Sequence, residues 1–97
     1  MEFVSIKNQV ATIIGPKHWV VTKNKLIDGE LNVAFQSGCT KVVVDLAETV
    51  DLPSTATGQL TKIRHQVKPE NFTVINAHGR PLQNLKSSSL GSWIKSS

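Results

Sequence analysis

A chain of 97 residues with 39% hydrophobic and 19% charged residues is expected to fold as one domain, residues 1–97, with one modest core. The formal charge of +4 is spread along the chain, and with no tyrosine and 5% aromatic residues the sequence does not supply a surface that binds nucleic acid. Cys39 is the only cysteine, which excludes an intrachain disulfide and a zinc site built from thiolates.

No membrane segment is expected from the hydropathy of the chain. Its apolar runs fall short of the roughly 18 residues that cross a bilayer, and residues 1–20 lack the basic and then apolar order of a signal peptide. The protein is therefore expected in the cytoplasm, without membrane insertion.

Two short strands are predicted at the start of the chain. Residues 3–6 and the mostly β-branched residues 10–14 form extended segments, with residues 7–9 as the turn of a hairpin. Gly15 and Pro16 end the second strand.

The pattern of residues from Thr22 to Ser37 predicts a helix. Gly29 lowers the stability of this helix by about 1 kcal/mol relative to alanine. Gly38 is placed to end it. Its inward residues are expected to be Ile27, Leu31, Ala34 and Phe35, with Leu26 and Val33 widening the face.

A central strand is predicted over residues 40–46, where the consecutive valines at 42–44 and the following Leu46 are typical of a strand buried on both faces. Asp45 and Asp51 raise the possibility of a paired-carboxylate site. No patterned histidine accompanies them, so caps of turns are the favoured interpretation.

The best-patterned helix follows Pro53. Ser54 is expected to be its N-cap, and positions 56, 60, 63 and 67 form the inward stripe, while residues 62, 64 and 65 point outward. Gly58 either lets a neighbouring backbone approach or leaves a smooth surface for a partner.

A further buried strand at residues 72–75 and a short helix from Pro81 complete the pattern. Leu90, Trp93 and Ile94 are expected to form a last apolar patch, against the sheet or against another protein. Right-handed crossovers then give an α/β fold, with a mixed, mostly parallel sheet of four or five strands and three or four helices.

Residues 42–46 read Val-Val-Val-Asp-Leu, and residues 53–58, at the start of the predicted helix, read Pro-Ser-Thr-Ala-Thr-Gly. With this pattern the sequence resembles, from about Val10 to Ile94, the STAS domains of anti-sigma factor antagonists. The family has valines, Asp-Leu, six variable residues and then Asp-Ser-Ser-Gly-Leu-Gly before a helix. Gly15 and Asn76 also stand where the family has these residues, whereas Pro53 replaces its acidic residue and Ala56 its glycine.

The resemblance implies a regulatory module that works by partner switching. In the family the unphosphorylated domain binds a serine kinase that is also an anti-sigma factor, and the kinase phosphorylates the first serine of the motif to break the complex. The matching position is Ser54, with Thr55 and Thr57 as substitute acceptors. The expected partner surface is Ser54, Thr55, Thr57, Gly58, Thr61 and Lys62. The resemblance implies no catalytic residue, metal or cofactor, and the chain is expected to be a monomer or a weak dimer.

Three alternatives remain at this stage. Ser54 could act as a helix cap and nothing more. The module could be a constitutive STAS-like subunit of a larger assembly such as a lipid-transport ATPase, which the loss of the acidic residue at Pro53 favours. An enzyme would need a nucleophile with a base or a metal cluster, and His18, His65 and His78 stand in unrelated contexts.

Overall fold

The computed structural model describes residues 2–87, which form a four-stranded sheet and three α-helices. The elements are β1 (Val4–Lys7), β2 (Val10–Ile14), α1 (Val21–Gln36), β3 (Lys41–Asp45), α2 (Ser54–Gln66), β4 (Phe72–Ile75) and α3 (Gly79–Lys86), with a 3-10 helix at Pro69–Asn71. The sheet is mixed and mostly parallel, since β1 pairs antiparallel with β2 while β3 is parallel to both β2 and β4. The predicted fold class is confirmed.

The predicted hairpin is present, with a tighter turn than expected. Lys7 belongs to β1 and pairs with Val10, which leaves a two-residue loop. Asn8 and Gln9 in that loop have positive φ angles of 52° and 66°. Positive φ at both loop residues is the geometry that matches the natural twist of two paired strands.

The order of the strands places the crossover helices on one face of the sheet. The strands lie in the order β1-β2-β3-β4, so both crossovers step in the same direction. Right-handed crossovers then put α1 and α2 on the same side. The residues paired across that face are buried, as in the row Val4, Ile13, Val44 and Val74.

Strand β3 is buried on one face, and the prediction that it is buried on both is wrong. Val42 and Val44 face the helices and are fully buried, whereas Val43 is half-buried in a row with Thr12 and Thr73. A run of consecutive valines therefore does not by itself show that both faces are covered, because β-branched residues also suit a half-covered strand.

Helix α1 contacts the sheet through a narrower stripe than predicted. Ile27, Leu31 and Ala34 are buried, but Leu26 and Val33 are 49% and 50% exposed. Leu26 is rotated by roughly 100° from Ile27 around the helix axis, which turns it away from the sheet. The predicted widening of the apolar face is therefore wrong.

The end of α1 and the packing of α3 agree with the sequence pattern. Gly38 ends α1 with a φ of 97°, as predicted for a C-terminal glycine. In α3, Pro81 and Leu85 are buried and Leu82 is half-buried.

The predicted apolar patch of Leu90, Trp93 and Ile94 lies outside the described residues. Within residues 2–87 no helix is long and apolar enough to cross a membrane.

Candidate partner-binding site

Ser54 is the first residue of α2, and the prediction that it is the N-cap is wrong. Pro53 occupies the cap position with an extended backbone, φ −69° and ψ 170°. The first turn is closed through the Pro53 carbonyl, which accepts the backbone N–H groups of Ala56 at 3.0 Å and Thr57 at 3.1 Å. No side chain caps the helix. Proline fits there because an N-cap does not need a free N–H of its own.

The hydroxyl groups at the start of α2 differ in their availability. The Thr57 hydroxyl donates to the Pro53 carbonyl at 3.3 Å, and the Thr61 hydroxyl donates to the Thr57 carbonyl at 3.0 Å. Ser54 is exposed, and its hydroxyl makes no hydrogen bond within residues 2–87. Of these three hydroxyls, the Ser54 oxygen is the one that a partner or a kinase reaches without breaking an internal bond.

Four of the six predicted partner residues line one groove. It has a volume of about 400 Å³ and is lined by Leu52, Ser54, Thr57, Gly58, Thr61, Asn84 and Ser87. The residues that line it carry no charge. A groove of this character fits an uncharged segment of a partner better than a charged one.

Asn84 and Ser87 were not predicted to belong to this surface. Both come from the end of α3, and the Asn84 amide donates to the Leu52 carbonyl at 3.0 Å. This bond fixes the end of α3 beside the loop that precedes α2. The sequence pattern contains no signal that α3 packs against the start of α2.

Thr55 and Lys62 lie away from the groove, on the side of α2 that faces α1. The Thr55 carbonyl accepts the Asn24 amide at 3.3 Å. Lys62 lines a separate cavity of about 120 Å³, together with Asp28, Leu31, Asn32, Ile63 and Gln66. The structure thus divides the six predicted residues into two sets on opposite flanks of the helix.

A buried polar network fixes α2 against α1. Gln59 is 7% exposed, and its side-chain carbonyl accepts the indole N–H of the fully buried Trp19 at 3.0 Å. Its amide nitrogen donates to the Asn24 carbonyl at 2.9 Å and to Asp28 Oδ1 at 2.8 Å. Every polar atom of the Gln59 side chain is therefore used, which is what burial of an amide requires. Sequence reasoning missed this residue because glutamine normally indicates an exposed position.

The loop before α2 is held at the end of β3 by side chains that the sequence singled out. Asp45 Oδ1 accepts the Ala47 N–H at 3.0 Å and the Asn76 amide at 3.1 Å. Asn76 itself has a φ of 59°, a conformation that asparagine tolerates. The interpretation of Asp45 as a turn cap is confirmed, and its partners differ from those of Asp51.

Gly15 is required by close packing against the same loop. A Cβ atom there would collide with the Thr49 hydroxyl and come within 2.9 Å of Leu46 Cδ2 and 3.2 Å of the Asp45 carbonyl oxygen. The Gly15 N–H also donates to the Asp45 carbonyl at 2.9 Å. The glycine therefore lets the loop after β2 approach the end of β3.

The three histidines have separate neighbours. His18 Nδ1 lies 3.9 Å from Asp51 Oδ2 at the surface, His65 contacts Arg64, and His78 Nε2 lies 2.9 Å from the Ala47 carbonyl. Within residues 2–87, no three histidine, cysteine or acidic side chains come together as metal ligands would. The described groups do not assemble a nucleophile with its base.

Comparison with known proteins gives a likeness in structure. No protein-family model matches the sequence, and no curated protein does. Among solved structures, the anti-sigma factor antagonist SpoIIAA in its unphosphorylated form is similar, with a TM-score of 0.84 and 12% sequence identity. The match covers 97% of this chain and 85% of that chain. At this identity the likeness establishes the fold and nothing finer. The chain has the STAS-like fold of an anti-sigma factor antagonist.

Proposed function

We propose that this protein is a regulatory binding module whose partner is released by phosphorylation of Ser54. The observation that carries the proposal is the position of Ser54, which is exposed at the first residue of α2 and lines the uncharged groove. The likeness to an anti-sigma factor antagonist supports a partner of the same kind, a serine kinase that also acts as an anti-sigma factor.

The start of α2 is suited to carry a phosphate without loss of the fold. The helix has no acidic residue in its first turn, so the positive end of its dipole is not compensated there. A phosphate adds about −1.5 to −2 charges at pH 7, and a helix N-terminus favours such a group. The domain stays folded while its surface changes.

The groove supplies the reason why the same phosphate would release a partner. A partner that packs against Ser54, Thr57, Gly58 and Thr61 removes water from these positions. A dianion buried without a matching cation is strongly unfavourable, and none of the residues from 2–87 that line the groove is basic. Loss of a few kcal/mol weakens binding by about a hundredfold.

The substitute acceptors are less accessible in different ways. The Thr57 hydroxyl must first give up its bond to the Pro53 carbonyl. Thr55 is exposed, but it lies on the flank of α2 that faces α1, where its carbonyl accepts the Asn24 amide. Ser54 is therefore the preferred site, in a module proposed to act in the cytoplasm as a monomer or weak dimer.

A second candidate function is a constitutive subunit that docks through the same groove on a larger assembly such as a lipid-transport ATPase. Pro53 favours it, since a carboxylate beside the acceptor would help to position a kinase and proline offers none. The proline instead uses its carbonyl to close the first turn of α2. In this case the groove binds its partner without being switched.

The proposal is tested by phosphorylation of the full chain. The purified protein is incubated with ATP and each serine kinase of this class encoded in the same genome, and the product is mapped by mass spectrometry. Phosphate on Ser54, absent from the Ser54→Ala variant, is the expected result. Phosphate found only at other residues, or none with a kinase that binds the protein, would contradict the proposal. Stable binding of a transporter ATPase without phosphate would support the second function.

A further inference from the structure

The side of the sheet opposite α1 and α2 is open within residues 2–87. None of the outward residues of its strands belongs to the hydrophobic core of the described chain. Side chains alternate along a strand, so the neighbours of the buried residues point to this side, as Val43 does between Val42 and Val44. The two central strands contribute Val10, Thr12 and Ile14 from β2, and Lys41, Val43 and Asp45 from β3. We call these six residues the open face.

An uncovered face is not the usual state of parallel strands. β2, β3 and β4 are parallel, and sheets of parallel strands are nearly always covered on both sides. Here Thr12 and Val43, in the middle of the sheet, are half-buried, and Ile14 is 38% exposed. The strands therefore favour a second layer of protein over the open face.

The charges of the open face have opposite signs at its two ends. Along β3 a cation, Lys41, comes first, an apolar residue, Val43, lies midway, and an anion, Asp45, comes last. The neighbouring residues of β2 pair with these three in register and are uncharged. Reversing the direction of the strands therefore exchanges Lys41 with Asp45 and leaves Val43 at the centre.

We infer that the open face binds the open face of a second copy of this chain, with the strands of the two copies antiparallel. A two-fold axis that passes beside Val43, perpendicular to the strands, sets β3 against β3 of the second copy. Lys41 of each copy then lies opposite Asp45 of the other, and the two Val43 side chains meet at the axis. Sheets that pack face to face in this manner lie about 10 Å apart.

The same charges disfavour the other two-fold arrangement. With the axis parallel to the strands, Lys41 would face Lys41 of the second copy and Asp45 would face Asp45. Like charges placed opposite each other oppose association, whereas complementary ones fix the orientation of two partners. The open face is therefore self-complementary only when the strands of the two copies are antiparallel.

Asp45 can make this contact while it holds the turn after β3. Its bonds from the Ala47 N–H and the Asn76 amide both use Oδ1. An ionised carboxylate has two oxygens and about four acceptor positions, so it can also receive a lysine from a second copy.

A dimer of this kind leaves the groove accessible in both copies. Helix α2 lies on the opposite side of the sheet, so the second copy does not cover Ser54. The inference therefore does not rest on the proposed function. Because β2 and β3 have five residues each, the shared surface is small, and we expect a weak dimer with a Kd of about 0.1 mM.

The matched variants are Lys41→Glu and Lys25→Glu, which change the net charge equally. Lys41 is on the open face, whereas Lys25 is an exposed residue of α1. Sedimentation equilibrium of the full chain is measured at low salt, where charge contacts are least screened, from about 10 µM to 1 mM. Lys41→Glu is expected to raise the Kd of the dimer about tenfold or more, since it sets a carboxylate opposite Asp45 at both ends. Lys25→Glu is expected to stay within twofold of wild type.

Val43→Lys tests the position of the axis independently of the charged ends. It brings two ammonium groups together at the centre of the interface and should weaken the dimer in the same direction as Lys41→Glu. Thermal unfolding of each variant shows that the monomer is still folded. A dimer weakened by both substitutions and unchanged by Lys25→Glu would support the inference.

Four results would overturn the inference. The first is a wild type that stays monomeric up to about 1 mM. The second is a dimer that Lys41→Glu and Val43→Lys leave unchanged, since it would use another surface. The third is equal weakening by Lys41→Glu and Lys25→Glu, which would show an effect of net charge alone. The fourth is a dimer formed by Trp93→Ser but not by the wild type, which would show that the last residues of the same chain cover the open face.

Discussion

The two sides of helix α2 are used differently by the rest of the fold. The inner side carries Ala56, Gln59, Leu60 and Ile63, all buried, and Gln59 ties it to α1 and Trp19. The outer side carries Ser54, Thr57, Gly58 and Thr61, which line the groove. Hydroxyl bonds on that side reach no further than the helix and its N-cap. Folding accounts for the inner side, whereas the small polar residues of the outer side are those that the proposed binding function uses.

The largest difference between the sides is expected for the neighbours Leu60 and Thr61. Leu60→Ala should lower the free energy of unfolding by about 2–5 kcal/mol, because it leaves a cavity in a fully buried site. Thr61→Ala should change it by no more than about 0.5 kcal/mol. Urea denaturation of both variants measures this, and equal effects would show that the two sides do not differ as described.

Gly15→Ala tests whether the loop that carries Asp51 and leads to Ser54 depends on the close approach at Gly15. The added Cβ meets Thr49, Leu46 and the Asp45 carbonyl, so the backbone must shift. Overpacking of this kind is expected to cost about 1–3 kcal/mol of stability. If Gly15→Ala unfolds at the same temperature as the wild type, the close packing described at Gly15 is contradicted.

Gln59→Leu tests the polar network on the inner side. The substitution leaves the buried indole N–H of Trp19 without its acceptor, and Asp28 and the Asn24 carbonyl without their donor. An unsatisfied buried group costs about 1–3 kcal/mol. Gln66→Leu, at an exposed position at the end of α2, is the matched control and should leave the free energy of unfolding within about 0.5 kcal/mol of wild type. A Gln59→Leu protein as stable as the wild type would show that the polar network does not stabilise the fold.

Gly58→Ala is expected to have a modest effect on stability, opposite in sign to that of the substitutions at Leu60, Gly15 and Gln59. Outside its own helix, no atom of residues 2–87 lies within 4 Å of a Cβ placed at Gly58, and the residue is inside a helix. Alanine should therefore stabilise the protein by about 1 kcal/mol. The same methyl group enters the groove and should weaken binding of the kinase. If the stabilised variant binds the kinase as tightly as the wild type does, Gly58 is not part of the partner surface.

The fold was largely predictable from the sequence because its signals are local. The β-branched runs, the inward stripe of α2 at residues 56, 60 and 63, and the turn glycine Gly38 each determine their own element. Leu26 and Val33 were misplaced since helical spacing defines a face but not how much of it a neighbouring sheet covers. The one-sided burial of β3 was missed for a related reason, as it depends on the order of the strands.

The site was predictable to a smaller extent. The resemblance to the family pointed to Ser54, Gly58 and Thr61 as partner residues, and the structure brings these residues to one groove. Asn84 and Ser87 join them through the packing of α3, and Thr55 and Lys62 are separated from them by the contact with α1. These arrangements depend on contacts between residues about 30 positions apart, which no local pattern contains.

The affinity of the partner kinase for the protein with and without phosphate on Ser54 tests the central claim most directly. Both forms are purified as the full chain, and their dissociation constants are measured at one salt concentration. We predict that the phosphorylated form binds about a hundredfold more weakly or worse. Equal affinities, within twofold, would contradict the claim that Ser54 controls the partner.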